Sequence, residues 1–117
     1  MASNYITIVS VPSFAKDIEA LLTEDEIMAL EFFLAIHPEA GDVIPGTGGI
    51  RKLRWAAKGR GKRGGARVVY YYFDDNHPLF CLAAYGKNEK IDLNASEKKQ
   101  IKAFVTELKS EYRRKIS

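Results

Sequence analysis

The sequence predicts an α+β domain, a curved and mostly antiparallel four-stranded sheet packed with three helices in the order β-α-α-β-β-β-α. Three observations carry that reading. A short β-branched run is followed directly by two amphipathic helical patterns, then by three strand-like runs separated by turn chemistry, then by a capped helical stripe. Consecutive strands joined in this way pair as an antiparallel meander. With 117 residues, 46% hydrophobic and 28% charged, residues 1–117 are expected to form one globular domain with its own core.

Tyr5 to Val11 is rich in β-branched residues and reads as the first strand, ended by Pro12, which lacks a ladder donor. Phe14, Ile18, Leu21 and Leu22 recur at helical spacing over Ser13 to Leu22. Thr23 and Glu26 then form a capping box ahead of Ile27, Leu30, Phe33 and Leu34, and Pro38 stops this second helix near His37. Ala40 to Gly49 is turn chemistry. Ile50 to Ala57 is the next strand, and period-two alternation puts Lys52 and Arg54 on one face and Arg51, Leu53 and Trp55 on the other. Lys58 to Gly65 is a basic loop with four glycines, leading to a strand over Ala66 to Phe73. Asp74 to Pro78 reverses the chain into Leu79 to Tyr85, whose near-continuous apolar character marks a central strand covered on both faces. Asn94 and Glu97 cap the last helix, which carries Ile101, Phe104, Val105, Leu108 and Tyr112 on one stripe and ends in a basic tail.

Charge is distributed unevenly. The net charge is only +3, yet Val43 to Phe73 contains eight cations and no Asp or Glu, so the working surface is expected in the glycine-rich basic segment from Gly46 to Arg67, with an anionic partner such as RNA. Other chemistries find little support. One cysteine, Cys81, lies in an apolar strand and reads as a buried thiol, consistent with a reducing cytoplasm. No apolar run is long enough for a bilayer and no export signal is visible, so a cytoplasmic location is expected. No metal-ligand spacing occurs, and no cofactor is expected. His37 and His77 each precede a proline in a chain reversal and read as turn residues. Gly59 to Gly64 echoes a phosphate-loop spacing, but strands flank it on both sides and no helix opens after it. What remains is a cluster of cations on two paired strands, interleaved with Trp55, Tyr70, Tyr71 and Tyr72. Cations bind phosphates and exposed aromatic rings stack on bases.

The strings Gly46-Thr47-Gly48-Gly49-Ile50-Arg51-Lys52-Leu53-Arg54, Gly59-Arg60-Gly61-Lys62-Arg63-Gly64-Gly65-Ala66-Arg67-Val68-Val69-Tyr70-Tyr71 and Tyr85-Gly86-Lys87-Asn88-Glu89 resemble the HigB branch of the RelE superfamily of type II toxins. The resemblance spans essentially the whole chain. It implies a RelE-like fold and a ribosome-dependent endoribonuclease that cuts translated mRNA without metal and is neutralised by a HigA-like antitoxin. It implies Lys52, Arg54, Arg67 and Lys87 as catalytic residues, with Arg67 gripping the phosphate. Arg51, Lys58, Arg60, Lys62, Arg63, Tyr70, Tyr85 and Asn88 are the expected contacts to RNA or the ribosome. Asn88 and Asn94 stand where some relatives carry arginine and tyrosine, and the histidines of other relatives are absent. The general acid is therefore open among Lys87, Tyr85 and Tyr70 to Tyr72. A noncatalytic RNA- or ribosome-binding module using the same hairpin is the alternative, and an exposed edge such as Tyr5 to Val11 is the expected place for a protein partner.

Overall fold

Alternate side chains of a single strand divide the hydrophobic core in two. The computed structural model describes residues 5–56, 65–86 and 93–116. In it, strand β4 (Ala66–Tyr71) sends Ala66, Val68 and Tyr70 into one apolar cluster and Val69 and Tyr71 into another. Helices α1 (Pro12–Leu21) and α2 (Glu24–Ile36) cover the first face through Phe14, Ile18, Leu21, Leu30 and Leu34. Helix α3 (Ala95–Ile116) covers the second through Val105, with Ile101 and Leu108 beside it. The result is a sheet between two helical layers.

The other strands are β1 (Ile8–Ser10), β2 (Asp42–Val43), β3 (Ile50–Trp55) and β5 (Leu79–Gly86), in the open order β1-β5-β4-β3-β2. The expected α+β class, three helices and central meander are present. The sheet has five strands rather than four, and β1 runs parallel to β5. The added strand lies inside the stretch read as turn. Asp42 and Val43 pair with Lys52 and Arg51 because the chain reverses tightly after them. In that reversal Thr47 Oγ1 donates to the Ile44 carbonyl (2.6 Å) and accepts from the Ile50 N–H (3.2 Å), while Gly46, Gly48 and Gly49 hold positive φ. β1 is shorter than expected, chiefly because Tyr5 to Thr7 precede the strand; at its other end Val11 caps α1, which Pro12 opens at a position where its missing N–H costs nothing.

The capping box of α2 is present in both directions, Glu26 N–H to Thr23 Oγ1 at 3.2 Å and Thr23 N–H to Glu26 Oε1 at 2.8 Å. β5 is central, as its composition predicts. Its ladder with β4 carries an irregularity between Val69 and Tyr70, where Leu82 has no opposite number. That extra residue lets Cys81 and Ala84 both face the α1/α2 cluster. It also returns Tyr85 to the α3 side, which strict alternation from Cys81 would not do.

A polar clamp sets the register of β3 against β4. Arg51 stands opposite Tyr70. The Tyr70 hydroxyl donates to the Pro38 carbonyl and accepts from the Gly41 N–H, both at 2.8 Å. Arg51 Nη1 donates to the carbonyls of Glu39 (3.0 Å) and Gly41 (2.7 Å). Only glycine fits at position 41, since a Cβ there would lie 2.9 Å from the Tyr70 ring and 3.0 Å from the Lys52 carbonyl oxygen. Just past the same end of β4, His77 Nδ1 meets Asp74 Oδ1 at 2.6 Å and the His77 ring stacks on Tyr112 of α3 at 4.2 Å.

Both sets of contacts can be tested through stability. Tyr70→Phe keeps the ring but leaves the Gly41 N–H and Pro38 carbonyl short of a partner in a buried place, and should cost about 1–3 kcal/mol by urea unfolding. An unchanged midpoint would show that the clamp does not stabilise the fold. Burial pushes the Asp74 carboxyl up, but hydrogen bonds from His77 and the Asn76 N–H outweigh it and hold the group below its ordinary value. A depressed carboxylate contributes stability above its unfolded value of about 3.9 and loses it as pH falls through the lower folded value. Asp74→Asn should therefore be less stable than wild type at pH 7, with the gap closing in acid, and a gap independent of pH would contradict this.

Candidate functional site

The basic residues of the central strands are sorted by the same alternation that builds the core. Lys52 and Arg54 of β3 fall on the α3 face, in step with Ile50, whereas Leu53 and Trp55 pack toward the helical hairpin. Arg54 lies directly opposite Arg67 of β4, and Arg67 directly opposite Tyr85 of β5. Three strands thus place Arg54, Arg67 and Tyr85 in one row on one face. Lys52 stands in the next row on that face, opposite Val69.

Directly opposed residues have Cβ atoms about 5 Å apart, and like charges in such pairs repel. The pairing of Arg54 with Arg67 is therefore unfavourable in isolation. An anion between two planar guanidinium forks removes that repulsion and gains charge-assisted, bidentate hydrogen bonds. Arg54 is exposed, Arg67 and Lys52 are half-buried, and Tyr85 is buried beneath the row. The floor is consequently apolar and aromatic while the rim is cationic.

Not every expected contact belongs here. Arg51 and Tyr70 point to the opposite face, toward α1 and α2, and are occupied by the polar clamp. Tyr70 is fully buried, and burial, the largest influence on it, raises its hydroxyl pKa. The expected RNA contacts from Arg51 and Tyr70 are corrected on that ground. Tyr85 shares the cationic row but at 2% exposure offers no ring for stacking. As candidate acids, Tyr70 faces the wrong way. Tyr72 sits past the far end of β4, where its hydrogen bond to Asp75 and its burial push its pKa up to about 12. Trp55 packs on Phe33 with centroids 5.2 Å apart. Lys58, Arg60, Lys62, Arg63, Lys87 and Asn88 lie outside the described residues. Cys81 is buried, and burial pushes its thiol up to about 12, which keeps it neutral. His77 is a turn residue with an acidic partner, Asp74, that strand-based reasoning did not supply.

One cation on this side was not singled out from sequence. Lys109 of α3 donates from Nζ to the Gly48 carbonyl at 2.6 Å and lies 5.9 Å from the Tyr71 ring centroid. It pins α3 to the turn that starts β3. Sixty-one positions separate the two residues, so no local pattern announces the contact. Among the described residues, no group of three His, Cys, Asp or Glu side chains is placed to hold a metal ion, and no helix is long and apolar enough to cross a membrane.

Comparison with known proteins bears on this arrangement. A family model described as the RelE toxin of the RelE/RelB toxin-antitoxin system matches residues 35–117, a stretch that includes β3, β4, β5 and α3. Among solved structures, a double arginine-to-alanine mutant of the E. coli toxin RelE in the free state superposes with a TM-score of 0.54. The match covers 74% of this chain and 87% of that one at 14% identity, a likeness of fold.

Removing a cation from the row should weaken RNA binding without unfolding the protein. Arg54→Ala and Arg67→Ala are each expected to lower the slope of log K against log salt by about 0.7 for single-stranded RNA. The thermal midpoint of Arg54→Ala should equal or exceed wild type, because an opposed like-charge pair has been relieved. A wild-type salt slope in both variants would show that the row does not hold phosphate.

Proposed function

This chain belongs to the RelE family of toxins of RelE/RelB toxin-antitoxin systems, and we propose that it is a ribosome-dependent endoribonuclease that cuts translated mRNA and so inhibits translation. The opposed pair Arg54 and Arg67, with Lys52 on the same face, is the observation that supports this reading. The three sequence strings around Gly46 to Arg54, Gly59 to Tyr71 and Tyr85 to Glu89 support membership of the HigB branch and neutralisation by a HigA-like antitoxin in the cytoplasm.

The chemistry proposed for the row needs no metal. The ribose 2′-oxygen attacks the adjacent phosphorus, the bond from phosphorus to the 5′-oxygen breaks, and the fragments carry a 2′,3′-cyclic phosphate and a 5′-hydroxyl. One proton leaves the 2′-hydroxyl for a base and one reaches the departing 5′-oxygen from an acid. Arg67 and Arg54 grip the non-bridging oxygens and stabilise the extra negative charge of the phosphorane. Lys52, in the next row on the same face, is the proposed base. Lys87, which follows β5 in sequence, and Tyr85 are the proposed acids. Lys58, Arg60, Lys62, Arg63 and Asn88 are proposed to dock on RNA of the ribosome.

Induced without its antitoxin, the wild-type chain should arrest growth and generate new 5′-hydroxyl ends within translated mRNA. Arg67→Ala should lose at least about 100-fold in cleavage while remaining folded. A 2′-O-methyl group at the scissile nucleotide should block cleavage, because it removes the attacking hydroxyl. RNA and ribosome binding with no cleavage by wild type would replace this reading with the noncatalytic module.

A further inference from the structure

Helix α2 is apolar on two sides. Ile27, Leu30 and Leu34 enter the core, as an amphipathic helix requires. Met28, Phe32 and Ile36, spaced four apart and therefore stacked on one line, face outward at 63%, 55% and 40% exposure. Tyr5, 60% exposed, extends the line across to the segment entering β1, its ring meeting Phe32 edge-on with centroids 5.3 Å apart. Contiguous exposed apolar side chains of this size mark a protein-binding surface.

The charge around the line identifies what it fits. α2 carries four carboxylates and no lysine or arginine, and residues 5–42 hold one lysine against eight carboxylates. An RNA backbone is repelled there, and the cationic row lies on the other face of the sheet. A protein segment with apolar residues at helical spacing, flanked by lysine or arginine, matches both the stripe and its rim.

We propose that the Tyr5, Met28, Phe32 and Ile36 stripe is the docking site of the antitoxin, and that the antitoxin seats there an apolar segment flanked by basic residues. The proposal rests on the toxin reading above. Antitoxin held on this surface leaves the face bearing Arg54 and Arg67 uncovered, so docking affinity and catalysis are separable.

The test uses full-length toxin and the antitoxin encoded beside its gene. A Met28→Glu, Phe32→Glu double variant should bind that antitoxin at least 100-fold more weakly, keep its mRNA cleavage, and kill cells that co-express the antitoxin. The charge-reversed variant Asp25→Lys, Glu31→Lys, which leaves the apolar stripe intact, should weaken binding about tenfold at low salt and less at high salt. Affinities within threefold of wild type in either folded variant overturn the proposal, as does a wild-type toxin that forms no complex with this antitoxin. A wild-type dimer in sedimentation that the double variant abolishes, with antitoxin affinity unchanged, assigns the stripe to a second copy and overturns it too. Loss of cleavage with antitoxin binding intact assigns the stripe to the ribosome and likewise overturns the proposal. Wild-type toxin that binds antitoxin through the stripe yet cleaves nothing refutes the endoribonuclease reading and leaves the docking site standing.

Discussion

The paired engagement of Arg51 and Tyr70 with the segment from Pro38 to Gly41 is the constraint on which the rest depends. Side chains alternate along a strand, so slipping β3 or β4 by one residue would exchange the faces of every residue on it. Arg51 and Tyr70 are directly opposed on the helical-hairpin side, Tyr70 held by the Pro38 carbonyl and Gly41 N–H and Arg51 by the Glu39 and Gly41 carbonyls and the Glu39 carboxylate at 3.8 Å. Holding that pair in place puts Lys52, Arg54 and Arg67 on the other side by necessity. The binding face is thus a by-product of a clamp on the opposite face, and the clamp's most intolerant member is Gly41, which any Cβ would force against Tyr70.

Features set by near neighbours in the chain were legible in the sequence. The capping box of Thr23 and Glu26, the stop at Pro38 and the division of Lys52 and Arg54 from Arg51 all depend on spacings of a few residues. Tyr70 was misread because aromatic residues among cations suggest stacking, although its alternation with Ala66 and Val68 already marked it as core. Tyr85 reaches the cationic face only through the extra residue at Leu82, and irregularity of that kind leaves no local signature. The short strand Asp42–Val43 and the tether from Lys109 to Gly48 were hidden for the same reason, since each is decided by where the chain returns.

The fold separates its charges into layers. The helical hairpin is acidic and carries an apolar line on its outer side. The opposite sheet face holds the opposed arginines, and α3, which covers the second core cluster, adds further lysines and arginines. The molecule therefore turns one surface toward polyanions and repels them from the other. Such segregation lets a toxin be bound by a protein and aimed at RNA through surfaces that do not compete for the same residues.

The central claim is that Arg54 and Arg67 hold one phosphate as a unit. Single-turnover cleavage of mRNA on programmed ribosomes, measured for Arg54→Ala, Arg67→Ala and the double variant, addresses it most directly. Groups acting on the same phosphate should be strongly coupled, the double variant losing little more than the worse single one. Losses that multiply across the two sites would contradict it.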